Sequence, residues 1–293
     1  MQAVQEGRFR WQTTPDVSYL EPTVLSGHPH VRCVFTLRHA GMSGHDLNLS
    51  VDLGTPAEVW TNRQRVLHAL GLGHTSLYTV RQVHGNQVCV VDEPTAQRGL
   101  HGVRADALVT ALPEMPLGVL VADCLPVVLY TLDPPALAVI HAGRVGTYQR
   151  VVSHGVDTLQ RRFGVAPSHL QAVLGPAIGA CCYTLDSRAV QPFQEHFPDW
   201  QGFFTPCGAG RWVMSLTAAN EAQLREAGVP AAHILTADIC TSCYRQHLYS
   251  HRAEGGKTGR AMAIAALLAP SSGTSLLSSR QTAPGASCPG TAF

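Results

Sequence analysis

The chain has 293 residues, 45% of them hydrophobic and only 14% charged, with a formal net charge of +1. That length admits one large domain or two modest ones, each with a sizeable core, and the near-neutral balance excludes a broad electrostatic footprint for nucleic acid or an anionic membrane. No apolar run reaches about eighteen residues, and Met1-Gln2-Ala3-Val4-Gln5-Glu6 lacks the basic-then-apolar order of a signal peptide, so a soluble cytoplasmic protein is expected.

A strand is expected over residues 32–37, where apolar residues run unbroken from Cys33 to Phe35. The next element is the best-signposted helix. Thr55-Pro56-Ala57-Glu58 offers an N-cap Thr, Pro at the first helical position and Glu at the third, a capping box. Val59, Val66, Leu67 and Leu70 then recur at helical spacing until Gly71 stops the run. Strands follow at 76–84, 87–91, 107–110, 117–122, 127–130 and 136–141. A helix is predicted over 147–163, with Val152, Val156, Leu159 and Phe163 on one face and Gly164 behind. A strand at 171–174, helices at 187–197 and 216–227, and a strand at 233–237 complete the pattern. Strands in groups with helices between groups point to an α+β fold with large mixed sheets. The first 24 residues read as an N-terminal extension, 25–268 as one domain without internal linker or repeat, and 269–293 as a turn-rich, disordered tail.

Three polar residues stand at the ends of strand-like runs, where chemistry is commonly placed. They are His84 after Leu77–Val83, Cys124 after Gly118–Ala122, and His141 after Ala136–Ile140. Two imidazoles and a thiolate suit zinc or copper, and three protein ligands leave a position open for water or substrate. Separations of 40 and 17 residues match no local zinc-finger spacing, and a Cys at a strand end also packs as a small hydrophobe. Nine cysteines, an odd count, are read as thiols or ligands rather than a disulfide framework. Among them Cys181-Cys182 are adjacent, and Cys240-Thr241-Ser242-Cys243 is a C-x-x-C with no second such pair to complete four ligands.

Several motifs in one order carry a resemblance. They are Arg81-Gln82-Val83-His84-Gly85, Ala105-Asp106-Ala107-Leu108-Val109-Thr110, Ala122-Asp123-Cys124-Leu125-Pro126-Val127, His141-Ala142-Gly143 and Leu174-Gly175-Pro176-Ala177-Ile178-Gly179-Ala180-Cys181-Cys182-Tyr183. Phe35–Gly41 with Leu47-Asn48-Leu49 precede them; the C-x-x-C with Ser250-His251-Arg252 and Thr258-Gly259-Arg260 follow. Together they resemble the laccase-domain proteins once called multicopper polyphenol oxidases. The resemblance implies a single-domain α+β layered sandwich, α/β/β/α-like, with a zinc held by His84, Cys124 and His141. It also implies phosphorolysis of inosine, guanosine, adenosine or methylthioadenosine, with adenosine deamination beside it. Two departures stand out. The family's Trp-Arg-Gly after His-Ala-Gly is here Arg144-Val145-Gly146, and its Arg-Arg-Asp-Gly is here Arg252-Ala253-Glu254-Gly255.

Phosphorolysis needs cations and donors for phosphate, and Arg38, Arg81 and Arg144 are the candidates, with Asn48 for the ribose hydroxyls or as a turn cap. Deamination needs a proton-shuttling carboxylate, and Asp123 is nearest in sequence. The expected partners are a purine nucleoside and phosphate, with zinc, or alternatively copper, as cofactor, in a monomer or small homo-oligomer. Other readings place Cys124 and His141 as the thiol pair of a cysteine hydrolase, oriented by Asp123 or Asn48, or invoke copper-dependent phenol oxidation. The latter lacks the many His-x-His ligands it requires, His28-Pro29-His30 being one such pair outside the matched region. A binding role without catalysis is the remaining alternative.

Overall fold

The protein is known here from a computed structural model, which describes residues 7–269. A five-stranded sheet runs in the order β1 (Phe9–Thr13), β2 (Ser18–Pro22), β3 (Val31–Thr36), β16 (Ala261–Leu267) and β8 (Leu117–Val121). A six-stranded sheet runs β15 (Ile234–Thr236), β11 (Gln171–Leu174), β9 (Leu125–Leu132), β10 (Pro135–Ala142), β7 (Ala107–Thr110) and β6 (Val88–Val90). Smaller sheets join β12 (Thr184–Asp186), β14 (Arg211–Met214) and β13 (Phe204–Pro206), and β4 (His39–Ala40) with β5 (His45–Asp46).

Alternation along the strands explains the layering. On β10, Leu137 and Val139 join Phe35, Val119, Ala263 and Ala265 between the two large sheets, while Ala136, Ala138 and Ile140 face the opposite way. There they meet Val152, Val156 and Leu159 of helix Val151–Phe163, Phe193 of Ser187–His196 and Leu224 of Leu216–Glu226. On β16 the same alternation sends Met262, Ile264 and Ala266 outward onto Val66 and Leu67 of helix Pro56–Ala69. The result is helix, sheet, sheet, helix, the layered α+β sandwich expected. The capping box forms as read, Thr55 accepting from the Glu58 N–H and Glu58 from that of Thr55.

Four details differ from the sequence reading. From Phe9 onward the supposed N-terminal extension supplies the edge strand β1 and its neighbour β2, so the five-stranded sheet begins well before residue 25. Residues 76–83 make isolated bridges but form no strand, and His84 turns left-handed at their end. Tyr78 pairs with Leu117 at the edge of one sheet and Arg81 with Arg104 beside the other, so the segment straddles both sheets and ladders with neither. The helix predicted over 147–163 is broken into Arg144–Tyr148 and Val151–Phe163, with Arg150 left-handed at φ 61° between them. The Thr147 carbonyl accepts from Arg150 N at 3.0 Å in a tight turn and from Gln223 Nε2 at 2.8 Å, while Arg150 is paired with Glu226 at 2.7 Å. A long helix therefore does not begin beside the His141 turn; a single short one does. The fourth is the second pair of cysteine ligands, taken up below. The expected tail lies outside the described residues save Ala269.

Candidate metal centre

β8 belongs to one large sheet and β9 to the other, so the chain between them must cross from sheet to sheet in three residues, Ala122-Asp123-Cys124. Asp123 makes that crossing with a left-handed backbone at φ 83°. Its carboxylate accepts from the hydroxyl of Thr241 and from the Arg252 N–H at 2.6 Å, and its carbonyl accepts from Ile178 N. Both oxygens are thus engaged in bracing the turn, and the geometry does not favour the proton-shuttling role considered for this residue.

The next residue, Cys124, enters the site. In the antiparallel pairing of β9 and β10, Pro126 lies opposite His141, which brings the imidazole beside the thiol. His84 arrives from the straddling segment, also left-handed at φ 58°, with its ring centroid 4.9 Å from that of His141. Ligand atoms of His84, Cys124 and His141 lie within 4.8 Å of one another, the three residues singled out from sequence.

What holds them is Asp106, a residue to which the sequence reading gave no role. This fully buried carboxylate accepts four hydrogen bonds. Val83, His84 and Gly85 donate successive backbone N–H groups at 3.2, 2.9 and 2.7 Å, and His141 Nδ1 donates at 2.9 Å. The first three fix the strained His84 turn, and the fourth leaves His141 Nε2 for the cluster, the orientation that a carboxylate behind the ring gives metal-binding imidazoles. The signal was a lone carboxylate in the apolar run Ala105-Asp106-Ala107.

Electrostatics follow the geometry. Burial pushes the Asp106 carboxyl up, but the His141 and backbone hydrogen bonds outweigh it and hold it below the usual carboxylate range. Burial also pushes the Cys124 thiol up, yet the charge and hydrogen bonds of His141 and His84 bring it down to about 6. His141, depressed by burial, is raised to about 9 by the Cys124 thiolate and Asp106. The site thus favours a thiolate and donor nitrogens, and a soft divalent cation can take the place of the shared protons. Space agrees with chemistry. A Cβ on Gly143 would stand 2.9 Å from Cys124 Sγ and 3.1 Å from His84 Cδ2, so only glycine lets the backbone approach the donors this closely. The residues present therefore fit a transition-metal ion.

The trio opens on a cleft of about 1380 Å³, walled by Arg81, Tyr78, Tyr183, His251, Arg252 and Arg260 among others. Arg81, expected here, is exposed on that wall. Arg144 starts the short helix and its charge reaches Tyr183, without forming an ion pair among the described residues. The structure does not bring Arg38 and Asn48 to the wall. Arg38 is bound to Glu254 at 2.7 Å and Asp46 at 3.4 Å and lies over the Tyr249 ring. Asn48 braces a turn, its Oδ1 accepting from the backbone of Ser50 and Arg260. Arg63, Arg252 and Arg260 are the arginines of the wall to which the sequence reading gave no role; Arg63 is held on the Leu49 carbonyl, and the other two lie in quoted motifs. Arg252 stacks 5.2 Å over Tyr183 and donates to the Thr184 carbonyl.

A family model described as multi-copper polyphenol oxidoreductase laccase matches residues 32–268. The chain belongs to this family. It is 32% identical over 239 residues to a purine nucleoside phosphorylase, YlmD, of Geobacillus stearothermophilus, covering 78% of this chain and 87% of the relative. It is 35% identical over 199 residues to adenosine deaminase RL5 of an unknown prokaryotic organism, covering 65% and 75%. The crystal structure of the Geobacillus YlmD superposes with a TM-score of 0.80 at 29% identity, over 88% of this chain and 99% of that one. The Bacillus licheniformis hypothetical protein YfiH gives 0.79 at 29% identity, over 88% and 98%. No helix among the described residues is long and apolar enough to cross a membrane.

Proposed function

We propose that this family member is a zinc-dependent purine nucleoside phosphorylase, cleaving inosine, guanosine, adenosine or methylthioadenosine with phosphate to the free base and ribose 1-phosphate, with adenosine deamination as a second activity. The observation that carries the reading is a His84–Cys124–His141 cluster on the floor of a cleft whose walls hold both arginines and tyrosines. The reaction breaks the bond from the anomeric carbon to the purine and forms one to a phosphate oxygen, so anion, sugar and base must be held together. Arg81, Arg252 and Arg260 offer donors for phosphate from the wall, with Arg144 adding charge near Tyr183. Tyr78 and Tyr183 offer rings against which a purine can pack. Asp106 keeps His141 Nδ1 protonated and its Nε2 turned to the cluster.

His84, Cys124 and His141 would hold zinc, or alternatively copper, supplying Lewis acidity toward a substrate oxygen or water. The partners are the nucleoside and phosphate, and we place the enzyme in the cytoplasm as a monomer or small homo-oligomer. The test is chromatography of inosine incubated with protein and phosphate beside a Cys124→Ala control. Hypoxanthine and ribose 1-phosphate formed only by the intact protein support the reading; no product from any of the four nucleosides, with zinc bound, overturns it.

One observation favours a second reading. Cys124, His141 and Asp106 stand in line as nucleophile, base and orienting carboxylate, the geometry of a cysteine hydrolase. A purified protein without metal that forms an acyl-enzyme at Cys124 with amide substrates would select it.

A further inference from the structure

A second sulfur-rich cluster lies outside the trio. Cys181 and Cys182, from the loop after β11, meet Cys240 and Cys243, from the turn after β15. The C-x-x-C that lacked a second pair in sequence thus finds it in the adjacent cysteines, across 62 residues of chain between Cys181 and Cys243. Cys243 Sγ stands 3.6 Å from Cys181 Sγ and 3.5 Å from Cys182 Sγ, and all four sulfurs lie within 4.8 Å of one another. A tetrahedral ion with Zn–S bonds of about 2.3 Å separates its sulfurs by about 3.8 Å. The cluster is built at that scale.

Two features of the backbone serve the same arrangement. Gly179 donates its N–H to Cys240 Sγ at 3.2 Å, the stabilisation that metal-bound thiolates ordinarily receive. A Cβ on Gly179 would meet Cys181 Sγ and Cys240 Cβ at 3.2 Å each, so the loop approaches the sulfurs more closely than a side chain readily allows. Packing accounts for only half of the cluster: Cys182 and Cys240 lie against the core, but Cys181 and Cys243 are exposed, and all four are free thiols.

We infer that Cys181, Cys182, Cys240 and Cys243 form a structural zinc site with four thiolate ligands, separate from the His84–Cys124–His141 centre. A closed tetrahedral shell leaves no position for substrate, so its work is mechanical. It ties the loop carrying Tyr183, which lines the cleft, to the turn carrying Thr241, whose hydroxyl braces Asp123 next to Cys124. The zinc pins the two loops that frame the first centre from behind.

Metal analysis of the full chain purified without chelator tests this, with each centre removed in turn. Two zinc equivalents per chain are expected for the parent, and one for His84→Ala/Cys124→Ser, whose changes leave the four-cysteine cluster untouched. X-ray absorption of the zinc left in that variant should give a shell of sulfur alone near about 2.3 Å. Cys181→Ser/Cys243→Ser should also drop from two equivalents to one and keep a mixed nitrogen and sulfur shell. A His84→Ala/Cys124→Ser protein that is folded by circular dichroism but holds no zinc overturns the inference, whatever becomes of the cysteine variant. So does peptide mapping that finds the four cysteines joined as disulfides.

Discussion

Replacing Asp106 by asparagine tests the arrangement of the metal centre at one atom pair. Oδ1 accepts from His84 N and His141 Nδ1, and Oδ2 from Val83 N and Gly85 N. An amide has one oxygen, so whichever way the new side chain is turned, its NH2 faces two donors that the carboxylate had satisfied. Asp106 is wholly buried and no water replaces the lost acceptor cheaply. Hydrogen bonds to a charged group contribute about 1.5–3 kcal/mol each, so losing two costs on the order of 3–6 kcal/mol, shared between fold stability and ligand geometry. The share that falls on the ligands should appear as zinc affinity weakened about 10–100-fold, as for other carboxylates behind metal-binding imidazoles. Competition with a chromophoric chelator measures the affinity, and thermal unfolding of zinc-loaded and stripped protein measures the rest. An Asp106→Asn protein that binds zinc within twofold of the parent and melts at the parent temperature would refute the reasoning.

Other outcomes follow from the same contacts. Gly143→Ala should keep the fold, because its φ of −76° suits alanine, yet weaken zinc binding at least about tenfold through the clash with Cys124 and His84; chelator competition beside circular dichroism checks both halves. For metal-stripped protein, Cys124 is lowered from 9.0 to about 6, so its stabilising contribution is complete above pH 9 and lost as pH falls through about 6. His141 is raised from 6.5 to about 9, so its contribution is complete below pH 6.5 and lost as pH rises through about 9. The two slopes are opposite and cancel between pH 6.5 and 9, so urea midpoints should stay nearly level across that range, and Cys124→Ser should unmask the loss of the His141 contribution as pH rises. Alkylation of Cys124, followed by peptide mass spectrometry, should show a midpoint near pH 6. Arg81→Ala should raise the KM for phosphate about tenfold, the scale of one lost charge-assisted contact. Arg38→Ala should leave that KM unchanged and cost about 1 kcal/mol of stability, because its partners are Asp46 and Glu254; initial-rate kinetics and denaturant unfolding separate the two.

Much of this was legible in the chain where the signal was local. The capping box at Thr55 and the apolar run of β10 are written in neighbouring residues, and strand ends alone pointed to His84, Cys124 and His141. The sandwich followed from grouped strands together with the family motifs. What escaped depended on residues distant in sequence. Asp106 gains its role only when the 83–85 turn and the end of β10 converge on it. The helix break at Arg150 comes with contacts from Gln223 and Glu226, and no pattern within 147–163 announces it. Arg38 and Arg81 look alike as isolated cations, and only the acids around Arg38 separate them. The strand β1 is a different case. Phe9 and Trp11 alternate with Arg10 and Gln12, a period-2 signal present in the sequence but set aside as an extension.

Phosphate-dependent turnover of inosine before and after metal removal tests the central claim most directly. Zinc-loaded protein should release hypoxanthine and ribose 1-phosphate in equal amounts, lose that activity on chelation, and regain it when zinc is restored; the Cys124→Ala protein should regain none. Release of hypoxanthine at an undiminished rate from protein stripped of metal, or from the Cys124→Ala protein, would contradict the account.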